Sequence, residues 1–200
     1  MAAQLSERLG KKFIVENRTG AGGVIGSEMV AHAPKDGYTL LIVSIANTLH
    51  PSLHSLSYDG NKAFAPIAYF AGSANAFAVN RELPVNSLKE SVALAKGKPG
   101  ELQYASGGVG GAMHLSFELF KDTTGIDVLH VPFRGAGPAI VDVFGGHTKA
   151  LIATVATLSP HISGGRLKGL AHDQDPRDQA AVNATTPAPP PWRRRPSPCG

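Results

Sequence analysis

Several features that would narrow the class of this protein are scarce in its 200 residues. The single cysteine, Cys199, allows no disulfide within the chain, so cysteine usage does not indicate a compartment. No apolar run reaches the roughly 18 residues that a membrane helix needs, and residues 1–9 lack the apolar segment of a signal peptide. Aromatic residues make up only 6% and are not interleaved with a basic stripe, which argues against a nucleic-acid-binding surface.

What the chain does contain is typical of a globular α/β protein. Hydrophobic residues make up 42% and charged residues 17%, which is enough apolar material for a core. Glycine is abundant, as tight strand–helix turns require. The net charge of +4 comes from scattered Lys and Arg, which is typical of a solvated surface.

Apolar segments alternate with helical periodicities along residues 1–171. This order predicts parallel sheets covered by helices, and two small sheets rather than one large one. Ser87 and Glu90 form a capping-box pattern at the start of one helix. Strands are predicted at 13–15, 39–43, 65–70, 76–80, 103–106, 128–131, 149–153 and 167–171. Helices are predicted to end at Gly10 and to span 20–33, 87–96, 111–124, 138–145 and 158–164.

The most informative local motif is the glycine-rich segment that follows the strand at 103–106. A helix begins near residue 111, so its first N–H groups and its dipole favour an anion. Ser106 adds a hydroxyl, Gly107 and Gly110 let a ligand approach the backbone, and His114 lies in the first helical turn. The alternative is a flexible turn before a structural helix.

A second glycine-rich segment, residues 20–26, resembles a dinucleotide-binding fingerprint only superficially. Counted from Gly20, the third glycine of G-x-G-x-x-G would be residue 25, which is Ile25, and no acidic residue is placed to contact a ribose. The segment is therefore predicted to be a tight strand-to-helix turn. A second set of backbone donors is the functional alternative.

Other polar residues give weaker indications. His50 and His54 are four apart but lack a third ligand, so they are interpreted as structural or surface histidines and no metal site is predicted. Arg134 follows a predicted strand and either pairs with a carboxylate or is solvated. No nucleophile–base pair lies at a readable spacing, so neither catalysis nor a cofactor is predicted.

Taken in order, these segments resemble the substrate-binding proteins of tripartite tricarboxylate transporters, the Bug receptors. The resemblance covers roughly residues 5–171 and is specific in its order and spacing. The matching segments are VENR (15–18) with GAGG (20–23), DGYTLL (36–41), FAPI (64–67), YASG (104–107) with HL (114–115), VPFRG (131–135) with PA (138–139), PHI (160–162) and GRL (165–167).

The resemblance implies a two-lobed, type II periplasmic-binding-protein-like α/β fold. Residues 1–80 would form a partial first lobe and residues 81–170 a second lobe. The implied function is extracytoplasmic, periplasmic binding of a di- or tricarboxylate or a similar small acid by a monomer, which delivers it to the transporter's membrane subunits. Ser106, Gly107, Gly110 and His114 are the implied ligand contacts, with Ser44, Asn47 and Arg134 as further candidates.

The sequence departs from the family pattern at both ends. The family's signal peptide, first strand and first ligand loop are not found here, so the first lobe is expected to be incomplete. Residues 171–200 form a Pro/Arg-rich tail that is expected to be disordered and is interpreted as a shifted reading frame. The rival interpretations are an α/β enzyme, such as a small transferase or a dinucleotide-dependent reductase, and a non-functional remnant.

Overall fold

A computed structural model describes residues 2–60, 62–69 and 72–173. Within these residues no helix is both long and apolar enough to span a bilayer. The helices are α1 (Ala2–Leu9), α2 (Val24–Ala31), α3 (Ala46–Leu53), α4 (Leu88–Gly97), α5 (Ala112–Thr124), α6 (Ala136–Phe144) and α7 (Val155–Ser163), with a 3-10 turn at Ala21–Gly23. The strands are β1 (Asn75–Asn80), β2 (Gln103–Ser106), β3 (Leu129–Pro132), β4 (Ala150–Thr154) and β5 (Leu167–His172).

The five strands form one mixed sheet in the order β3-β2-β4-β1-β5. Strand β2 runs parallel to β3 and β4, whereas β1 runs antiparallel to β4 and β5. The prediction of wholly parallel sheets was therefore wrong for β1, and the described residues contain one sheet rather than two. The alternation of strands and helices along a chain does not determine whether a given strand runs parallel or antiparallel to its neighbours.

Helices cover both faces of this sheet. In β1, Phe77 and Val79 point into a core shared with α4 and α5, while Ala76 and Ala78 point into a core shared with α6 and α7. Full burial of a large apolar side chain contributes about 1.5–3 kcal/mol. The two cores therefore hold the sheet and its four helices together.

Helix α4 begins where the capping-box pattern predicts. The Ser87 hydroxyl accepts a hydrogen bond from the Glu90 backbone N–H at 3.2 Å. The Glu90 carboxylate accepts from the Asn86 N–H at 2.8 Å, one residue earlier than in the usual capping box. The Glu90 amide, which the first turn would leave unpaired, and the Asn86 amide just before the helix are thereby satisfied.

Residues 2–69 contain none of the three strands predicted for them. Segments 13–15, 39–43 and 65–69 form no ladder, and Phe70 lies outside the described residues. Ile14 is 81% exposed and Ile42 is 66% exposed. A strand needs a neighbour for its backbone groups, and none of these three segments pairs with another described segment in a ladder. The same region contains α3, a helix that the sequence patterns did not predict.

The sheet also shows which strands residues 75–80 pair with. Strand β1 belongs to the same sheet as β2 to β5, although the sequence-based division placed residues 75–80 with the first lobe. We refer to residues 2–69 as the first part of the chain and to residues 75–173 as the second part. Of the predicted tail, residues 174–200 lie outside the described residues.

Candidate functional site

The carboxyl ends of three parallel strands meet at one edge of the sheet. Helices α5, α6 and α7 start directly beyond β2, β3 and β4, with N-cap residues Gly111, Gly135 and Thr154. None of these N-caps forms a side-chain cap hydrogen bond. The first amide groups of α5 and α6 therefore have no side-chain acceptor at this edge, which favours an anion. The first amide of α7, the Val155 N–H, donates to the Ala74 carbonyl at 2.8 Å.

The loops after β2 and β3 pack against each other as one wall of the site. The Phe133 N–H donates to the Ser106 carbonyl at 2.8 Å, and the Gly135 N–H donates to the Gly107 carbonyl at 3.1 Å. A Cβ at Gly107 would lie 3.1 Å from the Ala136 nitrogen. A side chain at residue 107 would therefore push the two helix starts apart.

Ser106 is fully buried at the end of β2, with 0% exposure. Its Oγ accepts from the Gly108 N–H at 3.1 Å and lies 2.6 Å from His130 Nε2. The hydroxyl is therefore engaged within the protein and holds the glycine loop in shape. Its predicted contact with a ligand stays a prediction.

The rings of His114 and His130 are in contact, with centroids 4.2 Å apart and planes tilted by 36°. The Gly110 N–H donates to His114 Nδ1 at 3.2 Å, which requires that nitrogen to be unprotonated. Burial lowers the pKa of His114. Burial, reinforced by the neighbouring His114, lowers the pKa of His130 to about 4 although Glu118 opposes this. Both rings are consequently neutral at pH 7.

A partly buried chain of polar side chains continues from His130 through Tyr104 to helix α5. His130 stacks on Tyr104, whose hydroxyl donates to Glu118 Oε1 at 2.6 Å, and Lys121 Nζ donates to the same oxygen at 2.9 Å. Burial works to raise the pKa of Glu118, but these two hydrogen bonds and the Lys121 charge outweigh it and lower the pKa. Burial and Glu118 together raise the pKa of Tyr104.

Sequence reasoning did not assign this chain of side chains. The spacing in the sequence indicates that one face of α5 carries His114, Glu118 and Lys121. Their contact with Tyr104 and His130 depends on the pairing of β2 with β3.

The second glycine segment closes over the first. Gly22 has φ 64°, a left-handed conformation that favours glycine, and a Cβ there would lie 2.6 Å from the Gly111 nitrogen and closer still to the Val109 carbonyl. A Cβ at Gly108 would lie 3.3 Å from the Gly22 nitrogen. The predicted tight turn at 20–23 is therefore also a contact between the two parts of the chain.

The three remaining candidate residues for ligand binding differ in their exposure and in their contacts. Ser44 is exposed, and its carbonyl accepts from the Asn47 N–H at 3.0 Å. Asn47 Oδ1 accepts from the Ser27 hydroxyl at 2.8 Å, which joins α3 to α2. Arg134 is exposed on the loop between β3 and α6. No observed contact tests their predicted ligand roles.

The α3 histidines face the two glycine loops. His50 is buried, and its Cε1 lies 3.7 Å from the Cβ position of Gly23. His54 Nε2 lies 2.7 Å from the Cβ position of Gly110. Through the part of the chain that the structure describes, no three His, Cys, Asp or Glu residues converge as metal ligands. A small, water-sized cavity in the core lies between Phe77 and Phe117, and Ser106, His114 and His130 do not line it.

Comparison with known proteins identifies the class. Residues 1–188 match the profile of the tripartite tricarboxylate transporter family receptors (TctC), and the chain belongs to this family. It is 36% identical over 174 residues to Protein BugT of Bordetella pertussis, an alignment that covers 86% of this chain and 53% of that protein. The chain therefore spans about half the length of the curated relatives it matches.

Solved structures agree with this membership. A structure titled "R. palustris Rpa4515 with adipate" is 34% identical, with a TM-score of 0.82, and is matched over 86% of this chain and 58% of that one. The periplasmic binding protein BugD is 26% identical, with a TM-score of 0.81, over 92% of this chain and 66% of that one. The predicted α/β, periplasmic-binding-protein-like fold class is confirmed.

Proposed function

We propose that this chain forms part of a periplasmic receptor that binds a small organic acid and delivers it to the membrane subunits of a tripartite tricarboxylate-type transporter. The convergence of the helix starts beyond β2 and β3 carries the proposal, because the N-caps Gly111 and Gly135 supply no side-chain acceptor for the first amides of α5 and α6. Family membership and the adipate complex of a neighbour support a carboxylate as the ligand.

Within this proposal, the first amides of α5 and α6, which lie next to the loops at Gly107 and Gly110, bind the carboxylate. Ser106 and His114 accept the Gly108 and Gly110 N–H groups and thereby hold the loop that positions those amides. Since the loop at Gly22 packs directly on residues 109–111, the ligand enters when the two parts of the chain separate, and closure follows. Ser44, Asn47 and Arg134 are proposed to line the same cleft.

The wider assembly belongs to the same proposal. The receptor acts as a monomer without a cofactor. Its two lobes are residues up to about 69 and residues from about 75. A shape change on closure is what the membrane subunits would recognise.

An enzymatic function is the competing interpretation. The distance of 2.6 Å between Ser106 Oγ and His130 Nε2 is one that a nucleophile–base pair would show. However, Ser106 is fully buried and its hydroxyl accepts the Gly108 N–H, so a substrate carbonyl has no access to it. A binding function is therefore favoured over catalysis.

Calorimetric titration of the full chain with adipate and succinate tests the proposal, after a circular dichroism melt has shown cooperative folding. We expect saturable binding that Gly22→Ala weakens by about tenfold or more, because the added Cβ collides with residues 109–111. Gly97→Ala is the matched control, since nothing lies within 4 Å of its Cβ position. A folded chain that binds neither acid would contradict the receptor function.

A further inference from the structure

The loop between β2 and α5 is held in place by two imidazole rings. The Gly110 N–H donates to His114 Nδ1 at 3.2 Å. Ser106 Oγ accepts the Gly108 N–H and lies 2.6 Å from His130 Nε2. A proton on His114 Nδ1 would turn this acceptor into a donor that faces the donor N–H of Gly110. The hydrogen bond to the loop therefore exists only while His114 Nδ1 carries no proton.

Glu118 on α5 is connected to both rings through Tyr104. Glu118 Oε1 accepts hydrogen bonds from the Tyr104 hydroxyl at 2.6 Å and from Lys121 Nζ at 2.9 Å. The Tyr104 ring stacks on His130, with centroids 4.8 Å apart, and the His130 ring contacts that of His114. By fixing the Tyr104 ring, Glu118 supports His114 and His130, which are called the loop histidines below.

The two charges of the Glu118–Lys121 pair act on the loop histidines with opposite signs. Burial is the largest influence and lowers the pKa of both rings; the Glu118 carboxylate raises both pKa values, and the Lys121 ammonium lowers them. Two further titratable groups face the loop histidines or their loop. These are Tyr104 on β2, whose pKa is raised by burial and by Glu118, and His54 on α3, which lies against Gly110.

We propose that Glu118 is a positioning residue of the binding site, which supports the loop histidines through Tyr104 and whose charge sets the pH at which the loop loses its binding conformation. The inference rests on the proposed function, in which the first amides of α5 bind a carboxylate. When His114 takes up a proton, the Gly110 N–H loses its acceptor and the start of α5 is no longer held in place. Acid therefore weakens ligand binding, although a positive charge by itself would attract a carboxylate.

Calorimetric titration of the full chain with adipate between about pH 7.5 and about pH 5 tests this role, with circular dichroism to check folding at each pH. The affinity of the wild-type chain should fall as the pH decreases. Glu118→Gln keeps an oxygen for both hydrogen bonds but removes the charge, so the loop histidines take up protons at lower pH. Lys121→Met removes a charge that opposes protonation and has the reverse effect.

The quantity that decides is the ratio of the variant Kd to the wild-type Kd at each pH, in which the protonation of adipate itself cancels. Over this range the ratio should fall about threefold for Glu118→Gln and rise about threefold for Lys121→Met, as a shift of about half a pKa unit implies. A purely structural role of Glu118 would change the affinity by one factor at every pH and would not reverse its sign in Lys121→Met.

The matched control is the ion pair between Lys98 and Glu101, which has the same spacing along the chain and lies before β2, at the other end of that strand. Lys98→Met and Glu101→Gln should leave the ratio constant with pH. Tighter binding in acid, a constant ratio in both test variants, or equal changes in the controls would overturn the positioning role and leave the receptor function standing. A folded wild-type chain that binds adipate at no pH would overturn both. If one test variant does not fold, the direction of the change in the other decides.

Discussion

Two segments of similar composition, one in each part of the chain, differ in structure: one forms a strand and the other does not. Residues 40–43 read Leu-Leu-Ile-Val and residues 150–153 read Ala-Leu-Ile-Ala. The second lies in β4 between β2 and β1, and Leu151 is 0% exposed. The first forms no strand, and Ile42 is 66% exposed. An apolar run becomes a strand when neighbours pair its backbone and cover its side chains.

The same contrast holds for the two parts as wholes. Residues 75–173 have a sheet, two cores and helices on both faces. Residues 2–69 have short helices joined by extended segments, and many of their large apolar side chains are exposed: Ile14, Val15, Tyr38, Ile42, Ile45, Ile67 and Tyr69. Stability is therefore concentrated in the second part, and the candidate site lies where the first part contacts it.

Hydrogen exchange on the full chain tests this difference in stability between the two parts, and of the predictions made here it has the largest expected effect. Amides of β1 and β4 should exchange at least about a thousandfold more slowly than amides of residues 13–15 and 39–43, because only the former open through global unfolding. Mass spectrometry of peptic fragments would measure this. Comparable protection in both sets would mean that the two parts fold to similar stability.

A pair of tyrosines compares the two parts by mutation. Tyr104 is 0% exposed and stacks on Phe117, whereas Tyr38 is 90% exposed. Tyr104→Ala should lower the free energy of unfolding by about 3–5 kcal/mol, and Tyr38→Ala by no more than about 0.5 kcal/mol. Urea denaturation followed by circular dichroism gives both values. Equal losses would show that Tyr38 is packed in solution.

The smallest expected effect is a dependence on pH that originates in the second part. The pKa of His130 is lowered to about 4 by burial, while in the unfolded chain it is near its ordinary value of 6.5. Between these values the unfolded state binds more protons, so stability is fully present above pH 6.5 and falls as the pH decreases toward 4.

His130→Gln removes this titration and should flatten the fall in melting temperature between pH 6.5 and pH 4. His32→Gln, at an exposed histidine in the first part, is the control. An unchanged slope in His130→Gln would assign the acid sensitivity to other groups, such as His50 and His114, whose pKa values burial also lowers.

The sequence alone determined the elements whose signals are local. Ser87 and Glu90 predicted the start of α4, and the glycine-rich segment after Ser106 predicted the turn into α5. The order of motifs also determined the family. These signals depend on residues a few positions apart, so they hold whatever the rest of the chain does.

The tertiary structure alone decided which apolar runs became strands, the direction of β1, and the contacts that build the site. Ser106 meets His130 across 24 positions, and His54 meets Gly110 from the other part of the chain. Such contacts depend on the path of the chain through space, and a strand at 39–43 depends on a neighbour to pair with. The local pattern of residues therefore predicts neither these long-range contacts nor the pairing of a strand.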